Sequence, residues 1–274
     1  MTYEYEVKEC ILKIENVNLE LGGRQILRDV NAEIKDIHRP GMQQGQVIGL
    51  LGPSGMGKTQ LFRILAGLNE PDSGAVYVTA NMTPVCAGMV GVVAQNYPLF
   101  NHRTVMSNLV VSGKQANMTT AEAEVRGREL LKRFGLEGNE TKYPVQLSGG
   151  QRQRVAIAQQ FMCSEHFLLM DEPFSGLDPI ALDAMAAFIG EMASTHELKT
   201  FIVVTHDIDA AVAVCDCLWL LGRDRDASGN ATPGARIKHT IDLAARGLAW
   251  REHIRELPAF QATVNEVRQL FNAL

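Results

Sequence analysis

The sequence predicts an α/β fold built around a mainly parallel sheet. Short apolar runs at residues 47–51, 90–94, 167–170, 201–205 and 217–221 are typical of buried parallel strands. Helical stretches separate these runs, and strands that alternate with helices form parallel sheets. The 274 residues are 46% hydrophobic and 21% charged, which excludes a disordered or collagen-like chain.

Two strands are predicted before the first of these runs. Residues 10–21 alternate between apolar and polar side chains, Gly22 and Gly23 indicate a turn, and residues 25–34 resume the strand pattern. The next segment, residues 35–46, contains one proline and two glycines, and we interpret it as a loop.

Residues 102–146 interrupt the alternation and are mostly amphipathic and helical, as an inserted helical subdomain would be. Residues 222–234 are polar and predict a loop, followed by a short extended piece and one or two helices. We therefore divide the chain into a main domain, residues 1–222, and a short helical extension, residues 223–274. Apolar spacing in the extension predicts helices packed on the core, rather than on a membrane surface: Ile254, Leu257, Val264, Val267 and Leu270.

Charge and composition exclude several functional classes. The net charge of −5 gives no overall basic field for nucleic acid. No segment has 18 uncharged apolar residues, so the chain is not expected to span a bilayer by itself, and its first residues lack an apolar signal region. The five cysteines are an odd number without metal-site spacing, which indicates reduced thiols.

A phosphate-binding loop follows the first parallel strand. The pattern G-x-x-x-x-G-K-[ST] places backbone N–H groups and a helix N-terminus around phosphate oxygens. Lys58 would reach the β- and γ-phosphates, and the Thr59 hydroxyl would bind Mg²⁺. The loop comprises Gly52, Pro53, Ser54, Gly55, Met56, Gly57, Lys58 and Thr59.

Two carboxylates end the apolar run at residues 167–170, at the edge of a parallel sheet where ligands bind. A nucleoside triphosphate needs one carboxylate for Mg²⁺ and a second group for the attacking water. Asp171 suits the first role and Glu172 the second. The alternative is a salt-bridged pair without a catalytic role.

A second anion-binding element begins with Ser148, Gly149, Gly150 and Gln151, which open a predicted helix. One phosphate chain does not need two such elements from the same subunit. Two subunits arranged head to tail would each supply one, which predicts composite sites in a dimer.

Over residues 10–222 the chain resembles the ATPase subunit of ATP-binding-cassette (ABC) transporters. The family's motifs occur in order: Walker A at 52–59, the Q-loop at Gln95, the signature at 147–151, Walker B at 167–171, the D-loop at 175–178 and the switch histidine at His206. The resemblance implies a P-loop NTPase fold with a RecA-like parallel-sheet core, an N-terminal antiparallel β subdomain and an α-helical subdomain inserted at about residues 96–150.

The resemblance also implies a mechanism with ATP and Mg²⁺. Two subunits, identical or different, would sandwich two ATP molecules, each between one Walker A loop and the opposite signature. Glu172 would polarise water, His206 would hold the γ-phosphate, and Gln95 would sense Mg²⁺, which Thr59 and Asp171 also bind. Asp178 of the D-loop would contribute to the nucleotide site.

The chain departs from the family at two positions. Family members carry an aromatic residue that stacks on adenine, where this chain has Leu21 before Gly22. Leucine gives dispersion contact without stacking, so we expect at most modest discrimination between ATP and GTP. Gln159 stands where an arginine is common, and a packing contact would differ there.

The resemblance implies integral membrane permease subunits as partners, and for an importer a solute-binding protein. The net charge of −5 predicts no nucleic acid partner. Tyr97, Leu99 and Phe100 are candidate groove residues for the permease, and ordinary core packing is the equal alternative. The expected location is peripheral, on the cytoplasmic face of the inner (plasma) membrane. The tail weakly resembles those of nitrate-, sulfonate- and taurine-type importer ATPases, which favours import. The alternatives are a soluble ABC ATPase of the iron–sulfur assembly type and a regulator of an envelope complex.

Overall fold

The computed structural model describes residues 5–38, 45–78, 81–163, 167–177, 179–193, 200–249, 251 and 253–274. The strands are β1 (Glu6–Leu21), β2 (Arg24–His38), β3 (Gln46–Leu51), β4 (Ser73–Val78), β5 (Thr83–Pro84), β6 (Gly91–Val93), β7 (Phe167–Asp171), β8 (Thr200–Thr205), β9 (Cys217–Arg225) and β10 (Ala231–Asp242). The α-helices are α1 (Lys58–Leu65), α2 (Val105–Gln115), α3 (Thr120–Arg133), α4 (Gly149–Phe161), α5 (Pro179–Ala193), α6 (Ile208–Val214) and α7 (Pro258–Asn272).

Within the described part of the chain, ten strands form one sheet in the order β5-β4-β1-β2-β10-β9-β3-β8-β7-β6. The half from β9 to β6 is parallel throughout, which confirms the parallel α/β core. All residues of β3 and β8 are buried, because helices and the β1–β2 side of the molecule cover both faces. The carboxyl ends of these strands therefore meet at one edge, where β3 leads into the phosphate loop.

The other half of the sheet is antiparallel, as expected for the N-terminal β subdomain. β1 pairs with β2 on one side and β4 on the other. The loop predicted at residues 35–46 is wrong at its start, because β2 continues to His38. Its last residues pair with an extension of β1, with Ile37 opposite Val7 and His38 opposite Glu6. Residues 39–44 lie outside the described part of the chain.

Strand β10 joins the two halves of the sheet. It runs antiparallel to β9 and pairs in parallel with β2, where Ala235 lies opposite Leu27. The polar loop predicted at residues 222–234 is much shorter, since β9 continues to Arg225 and pairs there with Ala231. The division of the chain at residue 222 stays a prediction, and the sheet itself runs across that point.

The predicted helical insertion contains α2, α3, a 3-10 turn at Pro144–Gln146 and the start of α4. Helix α3 begins with a reciprocal cap in which the Thr119 side chain and Glu122 exchange hydrogen bonds. Its apolar face is buried against the main core through Leu130, Leu131 and Phe134.

The C-terminal helix packs on the core, as its apolar spacing predicted. Val264 and Val267 of α7 are fully buried, and Ile254 is nearly so. Leu257 and Leu270 pack against the same cluster. Among the helices of the described residues, none is both long and apolar enough to cross a membrane.

Candidate functional site

The loop between β3 and α1 has a backbone that only glycine permits at several points. Gly55 and Gly57 have φ angles of +78° and +91°, in the region that favours glycine. A Cβ atom on Gly52 would come within 2.5 Å of the Leu221 carbonyl oxygen. These positions let the loop close tightly, as a loop that surrounds an anion must.

Lys58 is the first residue of α1, and its side chain reaches back to the start of this loop. Its Nζ donates hydrogen bonds to the Gly52 carbonyl at 2.6 Å and to the Pro53 carbonyl at 3.1 Å. Burial lowers the pKa of Lys58, and the negative charges of Glu172 and Asp171 oppose that shift. The ammonium group is therefore partly removed from water and interacts with both carboxylates predicted for the site.

Asp171 is the last residue of β7 and is partly buried. Burial raises its pKa, the neighbouring Glu172 charge raises it further, and Lys58 lowers it. A carboxylate in this position would be stabilised by a nearby cation. Thr59, the second residue of α1, is exposed and supplies a hydroxyl next to the loop.

Glu172 is held by its backbone and by its side chain. Its φ of +49° is rare for a residue other than glycine, and its N–H donates to the Val204 carbonyl at 2.8 Å. One carboxylate oxygen lies 2.9 Å from His206 Nδ1, and the other accepts a hydrogen bond from the Thr205 hydroxyl at 3.3 Å. The Glu172 side chain is only 15% exposed, so these contacts fix its direction.

His206 lies just after β8, and its side chain is 63% exposed. The segment is fixed by Asp207, whose N–H donates to the Thr205 hydroxyl at 3.1 Å and whose side chain caps α6 at the Ala210 N–H. Thr205 therefore links Glu172 to the start of α6. Sequence reasoning missed this residue, although it directly precedes the histidine that the motif identified.

The signature segment forms the N-terminus of α4, as predicted. The Ser148 hydroxyl accepts from the Gln151 N–H at 3.2 Å, and the Gln151 side chain accepts from the Ser148 N–H at 3.0 Å. A Cβ atom added to Gly149 or Gly150 would meet nothing within 4 Å. Within the described residues, neither Ser148 nor Gln151 hydrogen-bonds to the phosphate loop.

The remaining predicted residues surround this centre at different places. Gln95 is exposed in the turn after β6. Leu21 is 43% exposed beside the β1–β2 turn, and β2 reaches the loop, since Ile26 would lie 2.9 Å from a Cβ on Gly57. Asp178 lies outside the described residues.

The residues that are present fit a magnesium nucleotide. The glycine-dependent loop and Lys58 provide an anion site. Because residues 52, 55 and 57 are glycines, they put no side chain of their own in the way of a phosphate group. Asp171 and Thr59 offer the hard oxygen ligands that Mg²⁺ prefers. The charge of Mg²⁺ would also offset the burial that raises the pKa of Asp171.

Comparison with known proteins gives the same result at the level of sequence. The family described as ABC transporter matches residues 39–175. The sulfate/thiosulfate import ATP-binding protein CysA of Synechocystis sp. is 37% identical over 206 residues, which cover 74% of this chain and 56% of that protein. The probable sulfate/thiosulfate import ATP-binding protein CysA of Chlorella vulgaris is 39% identical over 212 residues, which cover 76% of this chain and 86% of that protein.

Two solved structures share the fold. The cbiO1 protein from Clostridium perfringens, part of the ABC transporter complex cbiONQ, aligns with a TM-score of 0.72 and 26% identity over 96% of this chain and 100% of that one. An ATP binding subunit of an ABC transporter aligns with a TM-score of 0.65 and 22% identity over 93% of this chain and 99% of that one. The chain spans little more than half the length of the Synechocystis relative.

Proposed function

The chain belongs to the ABC transporter family of ATP-binding proteins, and on that premise we propose that it hydrolyses ATP to drive solute import through separate membrane subunits. The observation that carries this proposal is the cluster of Lys58, Glu172 and His206 at one edge of the parallel sheet. The two CysA relatives named above are import ATP-binding proteins, which favours import over export.

Binding of the nucleotide begins at the phosphate loop. Lys58 exchanges its bonds to the Gly52 and Pro53 carbonyls for the β- and γ-phosphate oxygens, and the loop N–H groups hold the rest of the phosphate chain. Thr59, Asp171 and Gln95 are the side chains that would hold Mg²⁺. When bound, the metal neutralises charge that develops on the transferred phosphoryl group.

Glu172 is the group that orients the attacking water. The contacts of its two carboxylate oxygens, one with Thr205 and one with His206, fix the orientation of the side chain. Its interaction with Lys58 places it beside the phosphate loop. His206 Nδ1 lies 2.9 Å from a Glu172 carboxylate oxygen, which leaves Nε2 as the ring nitrogen that would contact the γ-phosphate. The two side chains thus act on opposite partners of the same reaction, the water and the phosphoryl group.

A second subunit completes each site in this proposal, either an identical chain or a related one. The open space at Gly149 and Gly150 supports this arrangement. The fold of the chain itself would have room for side chains at these two positions, so it does not explain why they are glycines. Close approach of a nucleotide from outside would explain why the segment has glycine at both of these positions. Asp178 of the D-loop would join this interface.

The permease subunits would dock on the helical subdomain. A cavity of about 360 Å³ there is lined by Asn96, Tyr97, Pro98, Leu99, Asn101, Pro144 and Arg152. Tyr97 and Leu99 also pack against the core, and burial raises the pKa of Tyr97 to about 12. Phe100 is 44% exposed beside them. Docking at this cavity would place the chain at the cytoplasmic face of the inner membrane.

Base recognition follows from Leu21. We expect the protein to bind ATP and GTP with similar affinity, and the variant Leu21→Tyr to bind ATP about three- to tenfold more tightly, because an aromatic ring adds stacking. Fluorescence titration with each nucleotide measures this, with Leu68→Tyr as the control, since Leu68 is also exposed. A large preference of the unmodified protein for ATP would refute the role given to Leu21.

Affinity capture from gently solubilised native membranes tests the transport function. We expect a multi-span membrane subunit to purify with the protein, and a solute-binding protein alongside it would establish import. Recovery of soluble partners alone, with the protein in the cytosolic fraction, would reject the proposal in favour of a soluble ABC ATPase, of the iron–sulfur assembly type among others.

A further inference from the structure

Gln153 is a buried polar residue with no part in the mechanism above. It lies in the second turn of α4 and is 1% exposed. Its side-chain Nε2 donates a 3.0 Å hydrogen bond to the carbonyl oxygen of Pro173. Pro173 directly follows Glu172, so the bond joins the signature helix to the segment that carries the catalytic carboxylate.

The backbone at Glu172 needs such support. Its positive φ is an unfavourable conformation for glutamate, and it persists only where neighbouring contacts hold it. Pro173 has no N–H to donate, and a residue before proline is restricted as well. Three hydrogen bonds hold the turn. The Glu172 N–H donates to the Val204 carbonyl, the Ser175 N–H donates to the Glu172 carbonyl at 3.1 Å, and the Gln153 amide donates to the Pro173 carbonyl.

Helix α4 is itself anchored at other points. The Gln160 side chain accepts from the Val92 N–H of β6 at 3.1 Å, and the Arg154 guanidinium donates to the Phe134 carbonyl at 3.1 Å. The helix is therefore fixed against β6 and against the end of α3. A shift of its N-terminus at Ser148 would be transmitted to Pro173 through Gln153.

We propose that Gln153 is a positioning residue that holds the Glu172 turn and connects it to the signature segment. The inference rests on the proposed ATPase function, since it assigns a support to the residue that orients water. Without the Gln153 amide, the buried Pro173 carbonyl loses its donor and the turn relaxes. A displacement of about 1 Å at a catalytic group can cost about a hundredfold in rate.

The test measures steady-state hydrolysis of ATP by the full chain carrying Gln153→Met, which has similar size but no donor. We expect kcat to fall about ten- to a hundredfold, with the KM for ATP within about threefold of the unmodified value. The control is Gln159→Met, another buried glutamine of α4, for which kcat should change little. Should Gln153→Met fail to fold, Gln153→Asn keeps the amide but is too short to reach Pro173.

A second readout separates positioning from a general loss of structure. In single-turnover reactions the double variant Gln153→Met, Glu172→Gln should hydrolyse ATP as slowly as Glu172→Gln alone, because the residue being positioned is already disabled. The inference is overturned if kcat of Gln153→Met stays within about twofold. It is also overturned if Gln153→Met lowers the rate of hydrolysis by the same factor in the Glu172→Gln background as in the unmodified protein. Absence of hydrolysis in the unmodified protein would instead reject the proposed function.

Discussion

Replacing Glu172 with glutamine is expected to abolish ATP turnover, with a loss of about a thousandfold or more. Glutamine has the shape of glutamate and can keep the contacts to Thr205 and His206, so the fold at this position should survive. It lacks the negative charge that polarises water. Binding of ATP should persist, since Lys58 and the phosphate loop are unchanged.

Phosphate release by the purified chain, followed over time, measures this effect, and nucleotide binding is titrated in parallel. Glu70→Gln is the matched control, because Glu70 is an exposed glutamate away from the site. Unchanged turnover in Glu172→Gln would show that another group orients the water. Loss of both turnover and binding would show that Glu172 supports the nucleotide and not the chemistry.

Replacing Gly149 with aspartate is expected to lower hydrolysis about a hundredfold while the chain itself stays folded. A side chain at this position meets no atom of the same subunit within 4 Å. A carboxylate in the first turn of α4 even stabilises the helix, through its interaction with the helix dipole. The loss would arise because the carboxylate repels the phosphates of a nucleotide brought by the second subunit.

Hydrolysis and thermal unfolding are compared for Gly149→Asp and for Gly190→Asp, its matched control. Gly190 is exposed in α5, and a side chain there also meets nothing within 4 Å. The control should hydrolyse ATP normally. If Gly149→Asp did the same, the signature segment would not face a nucleotide.

The centre of the site could be predicted from the sequence because its signals are local. The phosphate loop needs glycines at fixed positions between a strand and a helix, and the positive φ angles at Gly55 and Gly57 agree with that requirement. The acidic pair likewise ends an apolar strand, which places it at the ligand edge of the sheet.

Other features depend on contacts between distant parts of the chain, which local patterns do not encode. The extension of β2 to His38 depends on the start of β1, and the position of β10 depends on β2 and β9 together. The bonds from Thr205 to Glu172 and from Gln153 to Pro173 join different elements. The sequence shows only that Thr205 and Gln153 are polar residues close to the switch histidine and to the signature, and it does not show what they bond to.

The molar mass of Glu172→Gln in solution tests most directly whether two chains close around ATP. Light scattering is recorded without nucleotide, with ATP and Mg²⁺, and with ATP and a chelator. The account predicts one chain without nucleotide and two chains only with ATP and Mg²⁺, and it predicts that adding Gly149→Asp abolishes the dimer. A mass of one chain under all three conditions would contradict the composite site.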